Sequence, residues 1–381
     1  MAAASASPGR ELADMLTRAG KLTTPAWVHA FATVPRHLFL PRIYIPHPQG
    51  GFTVATEGDP AWLDLAYQDE AWVTQIDGGF PEPDEDGRVY GQPTSSSSAP
   101  SVMARMLDAL DVAEGMRVLE VGTGTGYNAA LLCHRLGDAN VTSVDIDPGL
   151  VEQARTRLAK AGHYPALHVG DGATGYLPNA SYDRVIVTCG FAEPPWELIQ
   201  QTVPGGKLIL PVFRSHLPAG VMLELQTEDE PTVAAHGRVL EQFGGFMPTR
   251  AIAPAHASSL LSHHQGKEGQ TRETSLTGNP VYQGTPWGWF AALTVPDAAA
   301  MITVDSHGAT RHWLLTDDSW GYLTENGHVT QGGPRRIWDE IEAARDEWQR
   351  LGEPARAEFH VTLTRDGTCH LSRGTWSATI S

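Results

Sequence analysis

Three alternate glycines, Gly122, Gly124 and Gly126, follow an apolar run at residues 118–121 and precede a helical pattern that starts at Tyr127. A turn out of a strand needs glycine where its backbone approaches a ligand so closely that a Cβ would collide. The helix behind it aims unpaired N–H groups at the same crevice. Asp145 ends the next apolar run, Val141-Thr142-Ser143-Val144-Asp145-Ile146-Asp147, roughly 20 residues past the glycines, where a carboxylate can accept both hydroxyls of a ribose. Asp171 tips a third run, Leu167-His168-Val169-Gly170-Asp171-Gly172, and suits an adenine amino group. Each feature has a plainer alternative. Glycines occur at many strand-to-helix junctions, and a strand-end Asp can cap the next helix, a role that fits Asp147-Pro148 better than Asp145.

A dinucleotide fingerprint would require glycine where Tyr127 stands, which speaks against a nicotinamide oxidoreductase. The run Glu120-Val121-Gly122-Thr123-Gly124-Thr125-Gly126 instead resembles motif I of S-adenosylmethionine methyltransferases. That resemblance implies a cofactor site formed by Glu120, Gly122, Thr123, Gly124, Gly126, Tyr127, Asp145, Ile146, Asp171 and Gly172. S-adenosyl-L-methionine would be consumed and S-adenosyl-L-homocysteine released.

The elements that must position these residues follow a strand–helix cadence. Residues 182–188 supply a fourth strand, and Pro204-Gly205-Gly206 a turn into a fifth at 207–212. The expected fold is α/β: a doubly wound Rossmann-like methyltransferase sheet with a small C-terminal α+β domain. Residues 1–253 would form the methyltransferase domain with an N-terminal helical segment, the polar stretch 254–280 a linker, and 281–381 the C-terminal domain. In that last part, residues 301–304, 312–315 and 320–323 read as strands, and Ile337, Trp338, Ile341, Ala344 and Trp348 lie at helical spacing. A closing hairpin follows at 359–371. Its aromatics read first as core, and peptide recognition is the functional alternative.

Upstream, two helical patterns lead to Val34-Pro35-Arg36-His37-Leu38-Phe39-Leu40-Pro41, and Ala66-Tyr67-Gln68-Asp69-Glu70-Ala71 comes later. Both resemble N-terminal motifs of protein L-isoaspartate O-methyltransferases. The run Ser95-Ser96-Ser97-Ser98-Ala99-Pro100 reads by itself as a flexible linker with Ser98 near a helix N-cap. Set against that family, Ser98-Ala99-Pro100 matches S-x-P, which makes Ser98 the catalytic hydroxyl that orients a carboxylate. Ser96 and Ser97 then flank it as substrate-binding candidates, standing where the family has Thr and Ile. The resemblance ends at Gly245-Phe246-Met247-Pro248-Thr249-Arg250, similar to the family's closing strand.

The implied reaction is methylation of a side-chain carboxylate, followed by closure of the ester to a succinimide and hydrolysis to aspartate or isoaspartate. An acidic insertion at residues 77–90, either a solvated loop or a substrate lid, departs from the repair pattern, as do Ser97 and the C-terminal residues, a unit that ordinary repair enzymes are expected to lack. The same departures mark a branch that accompanies ribosomally made peptides (lanthipeptides, lasso peptides, graspetides). An aspartate in a cyclised precursor peptide is therefore the expected acceptor, with isoaspartyl repair of damaged proteins as the alternative. A protein that only binds or scaffolds peptides is opposed by the intact Ser98, Asp145 and Asp171.

Net charge is −17, which argues against a nucleic-acid partner. No apolar run approaches the roughly 20 residues of a membrane span, and no secretory signal is visible. Cys133, Cys189 and Cys369 form no disulfide or metal pattern, so a cytoplasmic protein is expected. His263-His264 lacks an acid or cysteine at ligand spacing, so no metal is expected.

Overall fold

In a computed structural model, residues 7–212, 220–243, 245–249, 257–282, 284–306 and 308–380 are described. The chain divides into two compact units. The first takes residues 1–189, 195–209 and 224–230, and the second 190–194, 210–223 and 231–381.

The first unit opens with α1 (Pro8–Arg18) and α2 (Pro25–Thr33), each with Pro at the start, where the missing N–H costs nothing. A four-stranded antiparallel sheet follows, built from β1 (Arg42–Pro46), β2 (Phe52–Thr56), β3 (Trp72–Ile76) and β4 (Pro93–Ser97) in the order β2-β1-β3-β4. Helix α3 (Trp62–Ala66) lies between β2 and β3, and α4 (Pro100–Leu110) follows β4. Then come β5 (Val118–Val121), α5 (Tyr127–Leu136), β6 (Val141–Asp145), α6 (Pro148–Lys160), β7 (Ala166–Val169), β8 (Tyr182–Val187), α7 (Trp196–Gln200), β9 (Thr202–Val212) and β10 (Val221–Thr227), of which residues 210–212 of β9 and 221–223 of β10 count with the second unit. Strands β9, β8, β5, β6 and β7 are neighbours in that order and all pair in parallel. The chain moves from β5 outward to β7, then returns to place β8 on the other side of β5. That reversal puts the ligand crevice of a doubly wound sheet at the carboxyl ends of β5 and its neighbours.

The second unit contains β11 (Val233–Phe243), α8 (Ala257–His264), β12 (Gln270–Glu273), α9 (Pro286–Thr294), β13 (Ala299–Val304), β14 (Thr310–Leu315), β15 (Trp320–Thr324), β16 (His328–Gly332), α10 (Ile337–Arg350), β17 (His360–Thr364), β18 (Cys369–Arg373) and β19 (Trp376–Ile380). Strands β12-β16-β15-β14-β13 form an antiparallel sheet, and β19-β18-β17-β11 a second antiparallel set. The apolar stripe of α10, led by Trp338 and Ile341, packs on Leu314, Leu323 and Val329.

Two expectations change here. The stretch expected as a linker holds α8 and β12, because Leu260 and Leu261 pack against Trp313, Leu315 and Trp320, and β12 pairs with β16. The expected closing strand at 245–250 is reduced to a single bridge between Gly190 and Pro248, since proline offers no ladder N–H. The boundary proposed at 253–254, together with Arg250 and His256, lies outside the described residues. Among the described residues, no helix is long and apolar enough to cross a membrane.

Candidate functional site

The glycine turn has the geometry that its sequence demands. Gly122, Gly124 and Gly126 have φ of +96°, +51° and +90°, in the left-handed region where a Cβ is strained. Added carbons would meet Thr188 Oγ1 at 2.6 Å from Gly122 and Ala154 Cβ at 3.2 Å from Gly126. Gly124 faces a different neighbour. Its nearest atoms are the Ser96 carbonyl oxygen and Ser95 Oγ, 3.6 and 3.8 Å from where its Cβ would stand. The turn thus lies directly against the serine strand β4.

Asp145 receives the N–H of Gly124 at 2.8 Å on one carboxylate oxygen and the N–H of Asp147 at 3.0 Å on the other. Ile146 beside it is an apolar side chain 46% exposed. On the adjoining strand, Gly170 donates its N–H to the Asp145 carbonyl, so the tips of β6 and β7 are held side by side. Asp171 is exposed and spends one oxygen on the N–H of Ala173. A Cβ on Gly172 would come within 2.3 Å of Val121, so glycine lets this tip close on β5.

Three expected cofactor residues keep their side chains elsewhere. Glu120 is 0% exposed; Asn128 Nδ2 donates to it at 2.7 Å and Ser143 Oγ at 2.5 Å. Burial pushes its carboxyl up to about 7 against the pull of those hydrogen bonds. Thr123 is buried, with its hydroxyl 2.6 Å from the same Ser143 hydroxyl. Tyr127 packs edge-on to Phe31 and tilted against Phe39 in the core. These three build the turn from behind, because their side chains are drawn into the interior that the turn covers.

The serine run is a strand and not a flexible linker. Ser97 pairs with Trp72 and Ser96 with Val73 across β3. Ser98 stands one residue before Ala99, the N-cap of α4, and the helix has no side-chain cap from its own sequence. Asp69 supplies one from a distance, accepting the Ser101 N–H at 2.7 Å. Buried Arg36 joins the same corner. Its guanidinium donates to the carbonyls of Ala66, Gln68, Glu70 and Ser98. Among the described residues the Ser98 hydroxyl has no hydrogen-bond partner, so it is free to donate to a ligand. Arg36 and Asp69 were visible in the sequence as motif letters, but their task as anchors of Ser98 was not. Gln75 adds a further tie, donating to Asp147 at 3.1 Å and thereby linking β3 to the start of α6.

The insertion at 77–90 is pinned to the four-stranded sheet. Arg42 donates to the Pro81 carbonyl and pairs with Glu82 at 2.5 Å, and Tyr44 donates to the Pro81 carbonyl at 3.1 Å. Val89 is buried and bridges Phe52. Cys189 follows β8 at the same end of the sheet. Burial and the Asp145 and Asp171 charges push its thiol up to about 12, which leaves it protonated and unsuited to nucleophilic work.

A family model, Protein-L-isoaspartate(D-aspartate) O-methyltransferase (PCMT), matches residues 82–236. The chain is 48% identical over 122 residues to a protein-L-isoaspartate O-methyltransferase of Thermococcus onnurineus, a match that covers 32% of this chain and spans 55% of that relative's length. It is 33% identical over 226 residues to the Aeropyrum pernix protein of the same name, covering 58% of this chain and 74% of that one. A solved protein-L-isoaspartate O-methyltransferase has a similar fold, with a TM-score of 0.54 at 21% identity, over 96% of this chain and 99% of that one. That likeness reaches well into the C-terminal residues, which corrects the expectation that such a unit is missing from proteins of this name. The serine strand, the glycine turn and the two strand-tip carboxylates lie within or beside the matched residues, and the chain belongs to the protein-L-isoaspartate O-methyltransferase family.

Proposed function

We propose that this protein is a carboxyl O-methyltransferase that uses S-adenosylmethionine to methylate the free α-carboxylate of isoaspartyl residues, whose side-chain carboxyl carries the chain onward, in peptides or proteins. The observation that carries this reading is the apposition of Gly124 to Ser95 and Ser96, which sets the turn expected to hold the cofactor beside the strand that leads into Ser98. The residues present fit the cofactor: a left-handed glycine turn for close backbone approach, Asp145 for the ribose, and the open Asp171 oxygen for the base. When bound, S-adenosylmethionine supplies a methyl group already activated on a sulfonium.

The chain's own work is positioning. The free Ser98 hydroxyl donates a hydrogen bond to the acceptor carboxylate, and Arg36 holds the Ser98 backbone in place. The acceptor has a reference pKa of roughly 4 and is ionised at neutral pH, so no general base is required. Bringing two opposite charges together out of water favours the transfer that neutralises both. The ester then closes by attack of the following backbone nitrogen on its carbonyl carbon, with loss of that nitrogen's proton and departure of methanol.

A second reading makes the acceptor an ordinary aspartate in a cyclised ribosomal precursor peptide. It draws support from Ser97 beside Ser98 and from the acidic insertion tied down by Arg42 and Tyr44. Incubation with S-adenosylmethionine and both substrates in parallel separates the two. Mass gain on an isoaspartyl peptide alone supports the first reading, and gain on the cyclised precursor alone replaces it with the second.

A further inference from the structure

The second unit carries a pocket of about 480 Å³ that methyl transfer leaves without a task, a volume within the roughly 300–1,000 Å³ of ligand sites. One wall is aromatic. The rings of Trp320 and Tyr322 on β15 lie 18° from parallel, and the Trp313 ring on β14 is 4.6 Å from Tyr322. Gly269 lines the same wall, where a Cβ would come within 2.7 Å of the Trp320 ring.

The charged groups of the lining are Lys267, Arg311 and Asp305. The Arg311 guanidinium lies 5.2 Å from the Tyr322 ring centroid, and Lys267 Nζ is 3.2 Å from His264 Nδ1. His264 is 1% exposed, with Nε2 2.8 Å from the Thr316 carbonyl. A neutral ring that donates to Thr316 leaves Nδ1 to accept from Lys267, and burial lowers the His264 pKa in favour of that neutral form. The buried histidine therefore steadies the lysine head. Lys267 has no acidic partner among the described residues, whereas Asp305, which also lines the pocket, pairs with Arg311 at 4.0 Å. In a chain of net charge −17, the Lys267 head, without an acid of its own beside the Arg311–Asp305 pair, marks a place for a negative group. Thr303 and Val304 of β13 complete the rim, and β13 is the last strand on its side of the sheet, where an extended segment can add as another strand.

We propose that this pocket anchors the peptide substrate through a segment carrying an acidic and an aromatic side chain. The carboxylate sits at Lys267, next to the Arg311–Asp305 pair, and the aromatic ring lies at the Tyr322 edge of the wall, since Trp320 is itself only 4% exposed. The inference rests on the peptide-acceptor reading and adds to it a recognition element separate from the methylated residue. Such an anchor raises the local concentration of acceptor without entering the transfer step.

The test uses the full chain without cofactor and short fluorescein-labelled peptides that contain no isoaspartate, read by fluorescence anisotropy. One peptide alternates Asp and Phe, a second Lys and Phe, and a third Asp and Ala. The Asp/Phe peptide is expected to bind best, and the double substitution K267Q/R311Q to weaken it at least about 10-fold. Equal binding to that double variant overturns the proposal, and so does equal binding of the Lys/Phe or Asp/Ala peptide. Methyl transfer to an isoaspartyl tripeptide lacking acidic and aromatic neighbours reports that K267Q/R311Q is folded. A chain that binds the Asp/Phe peptide yet transfers no methyl group removes the enzymatic reading and leaves the pocket standing.

Discussion

The Arg36 guanidinium donates from Nη2 to the Ser98 carbonyl oxygen at 3.3 Å, while its other bonds hold Ala66, Gln68 and Glu70. Two motifs far apart in sequence are thus one device that fixes the backbone of the candidate catalytic serine. Arg36→Met should cost about 3 kcal/mol or more in urea denaturation, since it leaves several carbonyls without donors in a buried corner. Arg36→Lys should recover little, because one ammonium cannot span the same fork. A wild-type unfolding midpoint in Arg36→Met would remove this device from the account.

Ser98→Ala tests the hydroxyl without disturbing its scaffold, since no described group depends on it. The turnover number on an isoaspartyl peptide should fall on the order of 100-fold from loss of acceptor alignment. Calorimetric affinity for S-adenosylmethionine should stay at the wild-type value. A matching loss in cofactor affinity would place Ser98 in the cofactor site instead.

Asp145→Ala should do the reverse. Losing a charged acceptor for the ribose hydroxyls is worth about 1.5–3 kcal/mol, or roughly 10- to 100-fold in the dissociation constant of S-adenosylmethionine. Circular dichroism checks that the Gly124 turn survives. Unchanged affinity in a folded variant would exclude the ribose role.

Glu120 gives the fold a pH signature. Its folded carboxyl, pushed by burial up to about 7, lies above the ordinary unfolded value near 4.3. Between those values the native state holds a proton that the unfolded chain has lost, so this contribution to stability falls as pH rises and is fully lost above the folded value. On the order of 3 kcal/mol is at stake. Urea unfolding of wild type and Glu120→Gln from pH 4 to pH 8 should show the stability difference shifting in favour of the Gln variant as pH rises. Parallel curves would mean that the buried carboxyl titrates normally.

Much of the nucleotide-type half of the site was legible because glycine spacing and strand-tip carboxylates depend on local backbone geometry. Gly122, Gly124, Asp145 and Asp171 stand where strand and turn patterns put them. The direction of side chains behind the turn was not legible: Glu120, Thr123 and Tyr127 belong to motif I, yet tertiary packing turns all three inward. The four-stranded sheet was hidden as well. A run of four serines has little strand propensity, and pairing with Trp72, Val73, Gln75 and Ile76 of β3 makes β4 a strand. Residues 257–273 were misread for a related reason, since the two leucines that dock α8 are few among polar neighbours.

The most direct measurement is mass spectrometry of an isoaspartyl peptide and its normal aspartyl counterpart, each incubated with the full chain and S-adenosylmethionine. The account predicts a gain of about 14 Da on the isoaspartyl peptide, then loss of methanol to the succinimide, and no change in the aspartyl peptide. Failure of the folded, cofactor-binding protein to methylate the isoaspartyl peptide would contradict it.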